Sequence, residues 1–146
     1  MRLTYYTDYS LRVLIFLALK EKGILSNIKE ISEAYSISKN HLTKIIHELG
    51  KHGYIETIRG RNGGIRLKRL PEEINIGELV RRTEEDFYLL ECFDSEKNTC
   101  VLSPACRLKK MLNDAMNAFF QELDQYTLAD IATNKNQLIS LLRANT

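Results

Sequence analysis

A short helical hairpin followed by a glycine-rich strand pair constrains the fold of this chain more than any other feature. Residues 28–35 and 38–49 carry apolar side chains at three- and four-residue spacing, which is typical of two amphipathic helices. The break between them places Ile37 as an apolar plug, and Ser38 can cap the second helix. The pattern predicts a helix-turn-helix, whose second helix presents polar residues at its N-terminal end.

The strand pair follows this hairpin directly. Residues 54–59 and 65–67 alternate as two strands, and residues 60–64 form a glycine-rich tip between them. Two strands after such a helix define a winged helix-turn-helix, which disfavours an ordinary helical hairpin. A glycine-rich loop can also hold a nucleotide phosphate, but the chain has neither a Walker pattern nor a Rossmann strand–helix context. Double-stranded DNA is therefore the expected partner.

The second helix and the wing tip supply the candidate DNA contacts. Polar side chains near the N-terminus of such a helix reach base edges, while its backbone amides favour phosphate oxygens. Arginines on a wing suit the minor groove or the adjacent phosphates. The candidate DNA-binding residues are Ser38, Lys39, Asn40, His41, Thr43, Lys44, Arg59 and Arg61.

The charge distribution favours the same interpretation without deciding it. The formal net charge is only +2, but residues 26–70 hold nine lysines and arginines against four acidic residues. Residues 71–100 hold three against nine. A basic module followed by an acidic one favours a polyanion partner for the first. A solvated charged surface would give the same asymmetry.

All three cysteines lie within fifteen residues, at Cys92, Cys100 and Cys106. Thiolates bind soft metals and iron–sulfur clusters, and a polar loop lets several of them converge. The odd count argues against a disulfide framework. Structural zinc needs four ligands, whereas the three histidines lie far upstream. This spacing leaves three interpretations: cluster or metal binding, a redox-active set of thiols, and coincidental burial of three cysteines.

A long amphipathic helix is predicted after the cysteines. Ser103 as N-cap and Pro104 as the first helical residue would put Cys106 in the first turn, where the helix dipole favours the thiolate. The apolar face of this helix is wider than a small domain needs, so we expect a dimerisation helix. That face comprises Leu108, Met111, Leu112, Ala115, Phe119, Phe120 and Leu123.

Three further helical segments complete the prediction. The first covers residues 8–20, with Thr7 or Asp8 as its cap. The second is short and begins at Asn75, with Glu78 in the capping-box position. The third is a weaker segment over residues 127–142, which we expect to pack across the dimer.

These elements predict a mainly α chain with three parts. They are a winged helix-turn-helix with a two-stranded wing (1–70), an acidic connector with the cysteine loop (71–103), and a dimerisation helix with a C-terminal helical segment (104–146). No run of about eighteen apolar residues and no targeting segment is recognisable, so we expect a cytoplasmic protein without a membrane partner. No nucleophile–base pair or His–carboxylate constellation stands out, so we expect no enzymatic activity.

Taken together, these residues resemble the IscR/NsrR family of winged-helix iron–sulfur regulators, and within it the nitric-oxide-sensing NsrR repressors. The resemblance covers essentially the whole chain and rests on residues 3–12, 36–44 and 59–67 and on the three cysteines. It implies a homodimeric transcriptional repressor bound to a palindromic, AT-rich operator. It further implies that nitric oxide releases nitrosative-stress genes by nitrosylating a cluster held on Cys92 and its two partners.

The resemblance also implies a fourth cluster ligand. NsrR proteins are similar in using an aspartate near the N-terminus of the other subunit, and Asp8 of the partner subunit would take that role here. IscR has a histidine three residues after the last cysteine, where this chain has Lys109. The implied cofactor is a [4Fe–4S] cluster, with [2Fe–2S] as the alternative. A carboxylate favoured by the helix dipole is the other interpretation of Asp8. A thiol-based redox regulator of the same fold is the alternative function.

Overall fold

The computed structural model describes residues 2–145, and in that range the chain forms seven α-helices and one two-stranded antiparallel sheet. The helices are α1 (Tyr5–Ala18), α2 (Ile28–Tyr35), α3 (Lys39–Lys51), α4 (Ile76–Thr83), α5 (Arg107–Leu123), α6 (Leu128–Ile131) and α7 (Lys135–Ala144). The strands are β1 (Ile55–Ile58) and β2 (Gly64–Leu67), and short 3-10 turns cover Pro71–Glu73, Glu91–Phe93 and Ser103–Ala105. The predicted mainly α winged-helix class is confirmed.

Helix α1 lies at the centre of the hydrophobic core and contacts α3, α4, α6 and β2. Its apolar run leaves Val13 and Leu14 with no exposed surface, and Leu42 and Leu49 of α3 are equally buried against it. Burying one such side chain contributes about 1.5–3 kcal/mol of transfer free energy. The core therefore fixes α3 relative to α1.

The turn between α2 and α3 orients the second helix. Ser36 adopts the left-handed conformation (φ 53°) that ends α2, and Ile37 is buried beneath the turn. The Ser32 hydroxyl donates to the Ile37 carbonyl at 2.6 Å. Ser38 then caps α3 by accepting a hydrogen bond from the backbone of His41, so the predicted helix-turn-helix and its cap are confirmed.

The wing depends on two glycines at its tip. Strands β1 and β2 pair from Ile55 with Leu67 to Ile58 with Gly64. Gly60 has a positive φ of 109°, which a residue with a side chain rarely adopts. A Cβ on Gly63 would overlap the Ile58 carbonyl, so only glycine fits there. The arginines that flank these glycines are consequently held at the end of a tight hairpin.

The predicted start of α1 was wrong. The helix begins at Tyr5, and Thr4 is the N-cap that accepts from the Thr7 amide at 3.3 Å. Thr7 is fully buried inside the helix, and Asp8 lies in its first turn. The helix also ends at Ala18, two residues before the predicted end. Local capping preference could not distinguish Thr4 from the nearby candidates Thr7 and Asp8.

The predicted start of the long helix was also wrong. The residues around Pro104 form a separate 3-10 turn, and α5 begins at Arg107. Cys106 is the N-cap itself, and its Sγ accepts from the Lys109 amide at 3.4 Å. The residue therefore meets the positive end of the helix dipole from outside the first turn.

The C-terminal segment packs against its own chain. Leu128 is fully buried, and its amide donates to the Ile74 carbonyl at 2.9 Å. Helix α7 lies on α2, and the Asn145 side chain donates to the Ala34 carbonyl at 2.9 Å. These contacts do not test packing of the same segment across a dimer, which stays a prediction. None of the helices within residues 2–145 is both long and apolar enough to cross a membrane.

Candidate functional site

The N-terminal end of α3 forms an exposed polar surface on a rigid base. Its apolar side is buried through Leu42, Ile45, Ile46 and Leu49. The opposite side is exposed and consists of Lys39, Asn40, His41, Thr43, Lys44 and His47. The Thr43 hydroxyl donates to the Lys39 carbonyl at 2.8 Å, so that donor is committed to the helix backbone. The Lys39, Asn40, His41 and Lys44 residues are exposed.

Several cations of this surface have no carboxylate partner. Within residues 2–145, Lys39, Lys44, Arg59 and Arg61 make no ion pair, whereas Arg66 of the wing pairs with Glu56 at 2.7 Å. Both tip arginines are exposed, like the two lysines. Unpaired cations on one face are what a phosphate backbone requires. The predicted helix and wing residues are therefore exposed, and the four cations named are available for phosphate contacts.

His41, one of the predicted DNA-contacting residues, lies beside an aromatic ring of α1. The rings of Tyr9 and His41 lie 6.2 Å apart at 38°. The Arg12 guanidinium lies 5.7 Å from the Tyr9 ring and 5.9 Å from the Tyr35 ring. Burial raises the pKa of the Tyr35 phenol to about 12, so that group remains neutral at physiological pH. Sequence spacing gave no signal for this contact between α1 and α3.

Asp8 is engaged within its own helix. Arg12 donates to both Asp8 oxygens, through Nε at 2.9 Å and a terminal nitrogen at 2.8 Å. The hydrogen bond raises the pKa of the guanidinium above its ordinary value. About two-fifths of each side chain is exposed, so the pair is partly solvated. Its i,i+4 spacing could have been read from the sequence.

The cysteine loop is built from its own turns. The Asp94 and Asn98 side chains accept hydrogen bonds from backbone amides two residues later, at Glu96 and Cys100. Such turns are characteristic of Asp and Asn. In the described chain, the hydrogen bonds of residues 86–105 all join residues of this segment. The loop is thus shaped locally rather than by the core.

The three thiols are free, with Cys92 buried and the other two half-buried. Their donor chemistry fits an iron–sulfur cluster, because each can supply a thiolate and Cys106 already lies at a helix N-terminus. Across residues 2–145, however, no three His, Cys, Asp or Glu side chains are grouped closely enough to hold a metal ion.

Comparison with known protein families shows to which family this chain belongs. The model of the Rrf2 family, described as an iron-dependent transcriptional regulator, matches residues 3–134. The chain belongs to the Rrf2 family.

Curated Rrf2-type relatives place the chain more narrowly. It is 64% identical over 142 residues to the HTH-type transcriptional regulator NsrR of Bacillus licheniformis, covering 97% of this chain and 99% of the relative. It is 62% identical to NsrR of Bacillus subtilis, with 98% of each chain covered. The predicted resemblance to NsrR is confirmed, and the chain is a transcriptional regulator of this type.

Solved structures agree on the fold. The oxidized form of Staphylococcus aureus CymR has a TM-score of 0.72 and 27% identity, covering 91% of this chain and 97% of that one. IscR of T. potens has a TM-score of 0.72 at 23% identity, covering 92% and 88%, and supports the Rrf2 fold alone.

Proposed function

We propose that this Rrf2 regulator is a cytoplasmic homodimeric repressor that reads a palindromic, AT-rich operator and responds to nitric oxide through an iron–sulfur cluster. One observation carries the DNA-binding part. The N-terminal end of α3 is exposed, basic and unpaired, while the rest of the helix is fixed in the core. The recognition helix enters the major groove, and the wing tip lies against the adjacent minor groove or backbone.

Lys44→Ala and Arg61→Ala test the phosphate contacts. Each variant should weaken operator binding and lower the salt slope of log K by about 1, because each removes one cation from the backbone contact. Lys51→Ala is the matched control, since Lys51 lies in the last turn of α3 and pairs with Glu48 at 2.7 Å. Fluorescence anisotropy over a salt series measures the slopes. Equal slopes for all three variants would refute the assignment.

Asn40 and His41 are the proposed base-reading residues. Replacing either by alanine should reduce discrimination at one base pair of each half-site by about 1–3 kcal/mol, with less effect on the salt slope. Binding to duplexes with every single substitution in a half-site measures this preference. Wild-type sequence preference in both variants would move base reading to another part of α3.

For the cofactor, we propose that Cys92, Cys100 and Cys106 supply three thiolates and that Asp8 of the partner subunit supplies a carboxylate. A bound cluster would supply iron that reacts with nitric oxide. The chain contributes soft ligands on an adaptable loop and one hard ligand on α1. Because α1 packs on α3, a ligand role for Asp8 would tie the state of the loop to the position of the recognition helix.

Anaerobic purification tests this cofactor. Protein with visible absorbance, iron and sulfide would support it, and replacement of any one cysteine by serine should reduce all three signals. A colourless protein whose DNA affinity responds to oxidants would instead support the thiol-based alternative, which two half-buried free thiols also permit.

Asp8→Ala and Arg12→Gln separate the two roles of Asp8. Both variants break the ion pair on α1, but only the first removes the carboxylate. If Asp8 is a ligand, only Asp8→Ala should change the cluster spectrum and the response of DNA affinity to nitric oxide. Identical behaviour of the two variants would leave Asp8 with a helix-stabilising role alone.

A further inference from the structure

We propose that α4 positions α5 relative to the DNA-binding helices, and that Arg81 sets this orientation through Asp124. The inference rests on the proposed function, in which α5 joins two subunits on one operator. It assigns operator-spacing specificity to residues far from the DNA-binding surface.

Arg81 is hydrogen-bonded to the C-terminal end of α5 in a defined geometry. Its two terminal nitrogens donate to the two Asp124 oxygens at 2.5 and 2.8 Å, so the pair is bidentate. The guanidinium also lies 4.3 Å from the centre of the Phe120 ring, one turn earlier on α5. Hydrogen bonding to Arg81 holds the pKa of the Asp124 carboxyl below its ordinary value. The planar bidentate pair with Asp124 and the stacking on Phe120 together fix the orientation of α5 relative to Arg81 as well as the distance between them.

The first residues of α4 and its N-cap are closely fitted against the end of α5. Gly77 is buried, and a Cβ there would overlap the Asp124 carboxylate and crowd Arg81. The Asn75 side chain donates to the Asp124 carbonyl at 2.7 Å, and the Ile76 amide donates to the Tyr126 carbonyl at 2.9 Å. The N-terminal half of α4 is therefore bonded to the chain immediately after α5.

The other end of α4 is bonded to α1. The buried Thr7 hydroxyl donates to the Thr83 hydroxyl at 2.8 Å. One residue further, the Glu84 carboxylate accepts from both the amide and the hydroxyl of Thr4, at 2.8 and 2.9 Å. These bonds reach the first turn of α1, which packs on α3. Helix α4 thus connects α5 to α1, and through α1 to α3.

The far end of α5 amplifies any change at this junction. From Asp124 back to Cys106 the helix spans about 27 Å, at roughly 1.5 Å per residue. Its N-terminal half is exposed, with Leu108 at 55% and Met111 at 65% of their full surface. A small rotation of α5 at Arg81 therefore displaces the proposed dimer contact. The distance between the two recognition helices then changes as well. Those helices must lie about 34 Å apart to enter successive major grooves.

Arg81→Ala tests the inference, with Arg82→Ala as the matched control. Arg82 is the next residue on the same helix, and among residues 2–145 its ion pair is with Glu78 of that helix, at 2.9 Å. The probe is a palindromic duplex selected from randomised DNA by the wild-type protein, together with versions one base pair longer or shorter at the centre. A single half-site duplex reports on the recognition helix alone.

Wild type and Arg82→Ala should both reject the altered spacings. Arg81→Ala should lose roughly 2- to 30-fold on the selected palindrome, the range for changes in coupling networks, and gain relative affinity for an altered spacing. Its half-site affinity should not change. Asp124→Ala should have the same effect on palindrome affinity as Arg81→Ala. The double variant should lose no more affinity than either single variant, because both substitutions break the same Arg81–Asp124 contact.

Two results overturn the inference, and they are distinguishable. Arg81→Ala with the same spacing preference as Arg82→Ala would show that the junction does not set the geometry. A wild-type protein that selects no palindrome would refute the proposed dimeric repressor, and the spacing role with it. Equal loss on half-sites and palindromes would assign Arg81 to folding, which also contradicts a positioning role.

Discussion

The DNA-binding unit (residues 4–83) and the cysteine segment (residues 88–106) are stabilised in opposite ways. In the first, α1, α3 and α4 share one core, and side chains such as Leu42 and Leu79 have no exposed surface. In the second, the order comes from short turns, while Val101 and Leu102 are largely exposed. Only Cys92 of the second region is classed as buried.

This difference suits the proposed division of labour. A recognition surface needs fixed side chains, because base contacts demand precise geometry. A ligand loop that has to gather three thiols needs local freedom, since turns can change without disturbing a core. The cysteine segment continues directly into α5, and α5 contacts α4 of the DNA-binding unit, so this junction determines how far one region can influence the other.

The largest expected contrast is between two leucines. Leu42→Ala should lower the free energy of unfolding by about 2–5 kcal/mol, because it opens a cavity in the shared core. Leu102→Ala, at a position 68% exposed, should change it by no more than about 0.5 kcal/mol. Urea unfolding followed by circular dichroism measures both. Similar losses would mean that the cysteine segment belongs to the core.

Two helical glycines sharpen the contrast at the junction. Gly77→Ala should destabilise the protein by about 1 kcal/mol or more, since its Cβ displaces the Asp124 carboxylate. Gly50→Ala in α3 has no atom within 4 Å of the new Cβ and should stabilise by about 0.5–1 kcal/mol. We therefore expect the two substitutions to change the stability in opposite directions, which thermal melting of both variants measures. The same sign for both would remove the close contact between α4 and α5.

Thiol accessibility sharpens the contrast inside the cysteine segment. In the metal-free protein, Cys100 and Cys106 are half-buried and should be alkylated by iodoacetamide before Cys92, which is buried. Mass spectrometry of digested samples at successive times gives the order, and unfolding in guanidinium should abolish it. Early modification of Cys92 would indicate that its 3-10 turn opens as readily as the rest of the loop.

The smallest expected effect is a pH dependence at the junction. Because Arg81 lowers the pKa of Asp124 below its ordinary 3.8, the pair stabilises the folded state above that pH. The contribution disappears as pH falls through the lowered pKa. The stability difference between wild type and Asp124→Asn should therefore shrink in acid, as urea unfolding at stepwise lower pH would show. A constant difference would mean that the carboxylate does not sense Arg81.

Much of the DNA-binding unit could be predicted because its signals are local. The apolar spacing of α2 and α3, the cap at Ser38 and the glycines of the wing each act within a few residues. The starts of α1 and α5 could not be predicted in the same way. More than one nearby residue was an acceptable cap at each start, and the choice depended on whether Thr7 faced the core and whether the Pro104 turn continued into the helix.

The sequence by itself determined the fold class, the polar surface of α3 and the positions of the three thiols, because periodicity, turn chemistry and composition are written in neighbouring residues. Only the tertiary structure decided that Tyr9 supports His41, that Thr7 bonds to Thr83 and that Arg81 grips Asp124. Each of these contacts joins residues from 32 to 76 positions apart. Contacts at such separations depend on how helices pack, and helix packing is set by the whole core rather than by any local pattern.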